Sequence, residues 1–89
     1  MKYTLEFKKS AEKEFAVLPK KEQQKIIDTL IILQHNPFSE ILSIKKLNFE
    51  SDYYRVRIGT YRVIYEIIQR NLVIHVIKIG HRKDVYRKF

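Results

Sequence analysis

The sequence predicts an α+β fold: one antiparallel sheet packed by an N-terminal helical hairpin, in the order β-α-α-β-β-β. Three observations carry this. A broad apolar stripe with helical period runs through residues 20–35. Two alternating segments, "YYRVRI" and "YRVIYEII", are separated only by Gly59-Thr60. A third β-rich run, "LVIHVIKI", follows one short polar turn.

Taken in order, "YTLEFK" (3–8) alternates well enough for a first strand, with Tyr3, Leu5 and Phe7 on one face. Ser10 is placed to cap the next helix, which carries Phe15 and Leu18 and ends at "LP" (18–19). Pro19 suits the first turn of a second helix over roughly 20–35, whose stripe is Ile26, Ile27, Leu30, Ile31 and Leu33. "HNPF" (35–38) stops it. The stretch 39–52, including "IKKLNFESD", has no strong period and reads as a connector. Strands follow at 53–58, 61–68 and 72–79, with "QRN" as the second turn. Gly80 is expected to break the last strand, leaving "HRKDVYRKF" as a basic tail with one short helical turn.

With 89 residues the chain reads as a single domain, 1–89, and two Gly with two Pro argue against disorder. Cysteine is absent, so disulfides and thiolate metal sites are excluded, and His35, His75 and His81 are too scattered to suggest zinc. No secretory signal or membrane-length apolar run is visible, and the expectation is a soluble cytoplasmic protein without cofactor.

The net charge of +8 is unevenly distributed. Residues 1–52 hold nine Lys and eight acidic residues, whereas 53–89 hold nine basic residues and only Glu66 and Asp84. All six arginines lie in the second segment. Arginine presents a planar fork suited to phosphate or carboxylate, so this segregation points to an anion-binding face.

That face is legible in the hairpin. If Gly59-Thr60 is a two-residue turn, Ile58 pairs with Tyr61, Arg57 with Arg62, Val56 with Val63 and Arg55 with Ile64. Alternation then puts Arg55, Arg57 and Arg62 together, opposite a core face of Tyr54, Val56, Ile58, Tyr61, Val63 and Tyr65. Two guanidinium groups about 5 Å apart repel by roughly 1–3 kcal/mol at surface-like dielectric. Like charges directly opposite one another also weaken a sheet. Such a pairing is explained by an anionic ligand on that face. Antiparallel return of the third strand brings Arg82 and Tyr86 towards Arg62, with His81 adjacent. The set can hold a phosphate, stabilise added negative charge and offer two proton-transfer candidates. His75, inside an apolar strand, reads as a sheet residue. Lys83, Arg87 and Lys88 read most simply as a solvated basic end.

"YYRVRIGTYRVIYEI" followed by "VIKIGHRKDVY", with "EKEFAVLPKKEQQKI" in the helical hairpin, resembles the RelE branch of the RelE/ParE superfamily. These are toxins of bacterial and archaeal toxin–antitoxin pairs. The resemblance implies a compact domain ending in a short helix. It also implies a metal-independent endoribonuclease that cuts mRNA in the ribosomal A site, by attack of the ribose 2′-OH on the neighbouring phosphate. Its partners would be ribosome, mRNA and an acidic RelB-like antitoxin. Carried over by position, the catalytic set is Arg62, Arg82 and Tyr86, with His81 beside them, and the RNA-binding set is Arg55 and Arg57 with Lys83 and Arg87 of the tail. Relatives carry lysines where Arg55 and Arg57 stand. Arginine does not give up its proton in a protein, so these two can clamp phosphate but not act as base. The base would be His81, Tyr86 or the ribosome. A gyrase-inhibiting ParE-like toxin and a non-catalytic antitoxin- or RNA-binding member are the alternatives.

Overall fold

The computed structural model describes residues 2–47 and 52–81. β1 (Thr4–Phe7) leads into α1 (Lys9–Ala16) and α2 (Lys20–His35), followed by β2 (Ser43–Lys46), β3 (Tyr53–Ile58), β4 (Tyr61–Ile68) and β5 (Val73–His81). The strands form one sheet in the order β1-β5-β4-β3-β2. The α+β class is as expected, with two differences in the sheet. β1 joins β5 in parallel, because the two helices carry the chain across before it returns. β2, inside the expected connector, adds a fifth strand antiparallel to β3.

Helix α1 starts two residues earlier than a Ser10 cap would require: Lys8 is the N-cap and offers no side-chain hydrogen bond. The carbonyls freed at its C-terminus are instead met from the next helix, where Gln23 Nε2 donates to Phe15 O at 3.0 Å and to Ala16 O at 3.4 Å. Pro19 is the N-cap of α2, whose backbone N–H groups begin the helix after it. Only Ile26, Leu30 and Leu33 of the expected stripe are buried; Ile27 and Ile31 stand exposed. The far end of α2 is tied to β1, with Tyr3 N–H donating to Gln34 O at 2.8 Å and Gln34 Nε2 to Tyr3 O at 2.9 Å. One edge of the sheet is thereby closed by a helix.

The β3–β4 register matches the expected one residue for residue, from Ile58↔Tyr61 to Tyr54↔Tyr65. Gly59 has φ +60° and the turn's second residue, Thr60, does not share that sign, which is the backbone that a Gly-first hairpin turn needs. β5 runs through Gly80 to His81 rather than breaking there. It also carries a bulge: Ile64 pairs with Lys78 but Tyr65 with Val76, leaving Ile77 as the extra residue. The expected C-terminal helical turn lies outside the described residues.

The helices and the inner face of the sheet enclose one core of Ala11, Ile26, Leu30, Leu33, Val56, Ile58, Val63, Tyr65, Ile67, Ile74, Val76 and Ile79. Tyr65 stacks on Tyr54 at 6.0 Å, and Phe38 meets Tyr54 edge-on at 5.9 Å.

Candidate nucleic-acid interface

Strand register orders the outer face into rows. At the hairpin end, Ser43, Arg57, Arg62 and Gly80 stand side by side across β2, β3, β4 and β5. The next row is Lys45, Arg55, Ile64 and Lys78. Below it, the bulge notwithstanding, Tyr53, Glu66, His75 and Glu6 make a third. Arg57 faces Arg62 directly, as the sequence implied. Arg57 is exposed, while Arg55 and Arg62 are half-buried. Ile64 is fully buried although it lies outside the core cluster, between Arg55 and Lys78 in the register. Long cationic side chains lay their apolar stems against such a residue and keep their heads in water.

The cations of this face differ in how they are neutralised. Among the described residues, no carboxylate pairs with Lys45, Arg55 or Arg57. The Nε of Arg55 is buried and meets no acceptor among the described residues. Buried donors left this way cost about 1–3 kcal/mol, so the site favours an incoming anionic oxygen. Lys78 is the opposite case. Its ammonium sits 2.7 Å from Glu14 Oε2, and the other oxygen of Glu14 accepts the backbone N–H of Ile79 at 2.9 Å. α1 thus covers the edge of β5 beyond the reach of β1 and cancels the charge of Lys78.

Towards the third row the chemistry changes sign. His75 Nδ1 lies 3.7 Å from Glu66 Oε1, each side chain about 30% exposed. A cleft of about 650 Å³ opens there, lined by Glu14, Glu66, His75, Lys78, Lys8 and Tyr53 among others. Its two carboxylates, Glu14 and Glu66, are matched by Lys78 and Lys8, so the cleft lacks the uncompensated positive charge of the arginine rows. Among the described residues, no group of His, Asp and Glu is arranged to hold a metal ion.

Of the residues expected in the site, Arg55, Arg57 and Arg62 are brought together. His81 is not: it pairs with Tyr61, and the two rings lie 4.6 Å apart on the face opposite Arg62. Arg82, Lys83, Tyr86 and Arg87 lie outside the described residues. Lys45 was missed because β2 is too short and too polar, with one apolar Ile44 before two lysines, to show a period. The face of Lys78 depended on the bulge at Ile77, which no sequence pattern marks. One ionisable group is strongly perturbed: burial, with a smaller contribution from Tyr54, pushes the Tyr65 hydroxyl well above the ordinary tyrosine range. It lies in the core, away from the arginines.

An α+β fold of two helices on a five-stranded sheet, with arginines clustered on one sheet face, defines a class of compact cationic proteins. Comparison with known proteins narrows this. The sequence model of the ParE toxin of the type II toxin–antitoxin system parDE matches residues 2–86. The RelE1 toxin candidate of Methanocaldococcus jannaschii is 33% identical over 88 residues, 98% of each chain. The archaeal RelE–RelB complex from Pyrococcus horikoshii OT3 superposes with a TM-score of 0.82 at 31% identity, covering 96% of this chain and 100% of the other. The intact E. coli RelBE toxin–antitoxin complex gives 0.77 at 27% identity, covering 89% and 95%. The chain belongs to the RelE/ParE superfamily of type II toxin–antitoxin toxins.

Proposed function

We propose that this protein is a ribosome-dependent endoribonuclease that cuts mRNA in the A site and is held inactive by an acidic RelB-like antitoxin. The observation that carries this reading is the direct pairing of Arg57 with Arg62, beside an Arg55 that no described carboxylate neutralises. Arg55 and Arg57 grip the scissile phosphate. The 2′-OH of the preceding ribose attacks phosphorus, the 5′-oxygen of the next nucleotide leaves, and the products are a 2′,3′-cyclic phosphate and a 5′-OH. Arg62, with Arg82, stabilises the charge gathered on the phosphoryl oxygens. A ribosomal group, or Tyr86 as its phenolate, takes the proton of the 2′-OH and a proton passes from that acid or from water to the departing 5′-oxygen, since the ring of His81 packs on Tyr61 across the sheet from the arginines. Supplying the base from outside explains why the free protein needs the ribosome, and the reading places it in the cytoplasm with ribosome and mRNA.

A second reading, a toxin that traps DNA gyrase, is favoured by the description of the matching family, which is of ParE toxins. Expression in a translating extract with mapping of mRNA 5′ ends decides between them. Cuts within ribosome-occupied codons support the first reading. Gyrase-dependent DNA breaks with intact mRNA support the second and overturn the first.

A further inference from the structure

The outer face is asymmetric about the arginine cluster, and the asymmetry gives a direction to whatever polyanion lies on it. On the β5 side Lys78 is cancelled by Glu14, and the adjoining row holds Glu66 and Glu6 with His75 between them. A phosphate moving that way meets carboxylates. On the β2 side the next outer-face residues are Ser43, opposite Arg57, and Lys45, opposite Arg55. Both are exposed, and Lys45 has no ion pair among the described residues. Neighbouring strands are about 4.8 Å apart. Lys45 therefore stands one strand outward from Arg55 and about 10 Å from the β4 strand that carries Arg62.

We propose that Lys45 is a phosphate-contacting residue that carries a single strand of RNA from the arginine cluster outward over β2, away from β5. The inference rests on the proposed RNA-cleaving function and adds to it the path of the substrate. Tyr53, the neighbouring outer-face residue to Arg55 on β3, supplies an aromatic ring where the cationic rows meet the row of Glu66. Cations interleaved with a ring suit nucleotides, whose bases stack while their phosphates pair, better than an acidic peptide. Lys46 provides an internal control. It is the neighbour of Lys45 on the same strand, equally exposed, but it points to the other face, where its ammonium lies 6.0 Å from the centre of the Tyr54 ring.

The test is the salt dependence of binding to 2′-O-methyl decauridylate, which cannot be cut, read by fluorescence anisotropy for the wild type, Lys45→Ala, Lys45→Arg, Lys46→Ala and Arg57→Ala. Each phosphate contact on a single strand contributes about 0.7 to the slope of log K against log salt. Lys45→Ala is expected to flatten the slope by about 0.7, equivalent to about five-fold weaker binding at 0.1 M salt, with Lys45→Arg restoring it and Lys46→Ala leaving it unchanged. Equal flattening by Lys45→Ala and Lys46→Ala would mean diffuse charge and overturn the proposal. If Arg57→Ala flattens the slope and Lys45→Ala does not, the path is wrong while the RNA-binding face stands. If neither does, the functional reading falls with it. A Lys45→Ala protein that loses affinity only for a glutamate decapeptide would assign the residue to a protein partner and likewise overturn the proposal.

Discussion

Glu14 and Lys78, one on a helix and one on the last strand, meet at 2.7 Å, and Glu14 also takes the N–H of Ile79. A single carboxylate therefore closes the exposed edge of β5 and silences a lysine that faces the same way as the arginines. Glu14→Ala should cost about 1–3 kcal/mol of stability, the range for hydrogen bonds to charged groups. Urea unfolding with an unchanged m-value and a lowered midpoint is the expected result. A midpoint equal to wild type would show that the edge is held by other contacts.

Arg57 should trade stability against activity. Arg57→Ala removes the repulsion from Arg62, so the fold should gain up to about 1 kcal/mol or stay level. The rate of mRNA cutting in a translating extract should fall by about 100- to 1000-fold, the usual loss for one charge-stabilising donor. Arg62→Ala should lose activity similarly. Full toxicity in either folded variant would move the site elsewhere.

Tyr65 carries a buried hydroxyl with no hydrogen-bond partner among the described residues. Tyr65→Phe should be neutral or stabilising by about 1 kcal/mol, because an orphaned polar group is removed and the ring stacked on Tyr54 is kept. The same group predicts a response to alkali. Its acidity is suppressed in the fold, so above the ordinary tyrosine value of 10.0 the unfolded chain releases this proton and the native one does not. Stability should be fully present below that pH and fall as pH rises, by about 1.4 kcal/mol per unit. The difference between the denaturation midpoints of wild type and Tyr65→Phe should be constant through neutral pH and widen at strongly alkaline pH, with wild type losing more.

Free of the ribosome, the protein should cut RNA poorly. Arg55, Arg57 and Arg62 hold charge but do not accept protons, and His81 faces away from them. Naked transcript incubated with purified protein, with or without chelator, should remain essentially intact. Rapid cutting that chelator abolishes would replace this mechanism with another.

Neutralisation by the antitoxin should depend on the same charges. Association should be fast and weaken with salt, as screening shortens from about 10 Å at 0.1 M to about 3 Å at 1 M. An Arg57→Ala, Arg62→Ala double variant that binds antitoxin with unchanged affinity and salt dependence would show that inhibition is steric.

The parts of this molecule that the sequence announced are those where chemistry repeats at short range. Gly59-Thr60 set the hairpin, and with it the whole β3–β4 register and the meeting of Arg57 with Arg62. Ile26, Leu30 and Leu33 marked α2 by their spacing. What escaped was decided at long range. The parallel seat of β1 depends on where α2 delivers Tyr3, through Gln34. The face of Lys78 depends on one extra residue in β5, and β2 is a strand because β3 offers it an edge, not because "SIKK" prefers that form. Position after position can be read along a strand, but pairing between distant strands is settled by packing. His81 illustrates the limit: adjacency to Arg82 in sequence suggested a shared site, and alternation through Gly80 turned its ring to the other side.

The parallel union of β1 with β5 has a consequence for how such a chain is made. Thr4–Phe7 are made well before their partners, Val73–Val76, with every other element of the sheet and both helices between them. Closing so long a loop is entropically unfavourable until the intervening hairpin has formed, so the β3–β4 ribbon is the natural starting point and the sheet is completed from both ends of the chain at once. Until then α1 has no strand edge to cover and Glu14 no Ile79 to hold. The ribbon that bears Arg55, Arg57 and Arg62 is thus in place before the edge that β1 and α1 complete, and the last step of assembly is the one that sets Glu14 against Lys78.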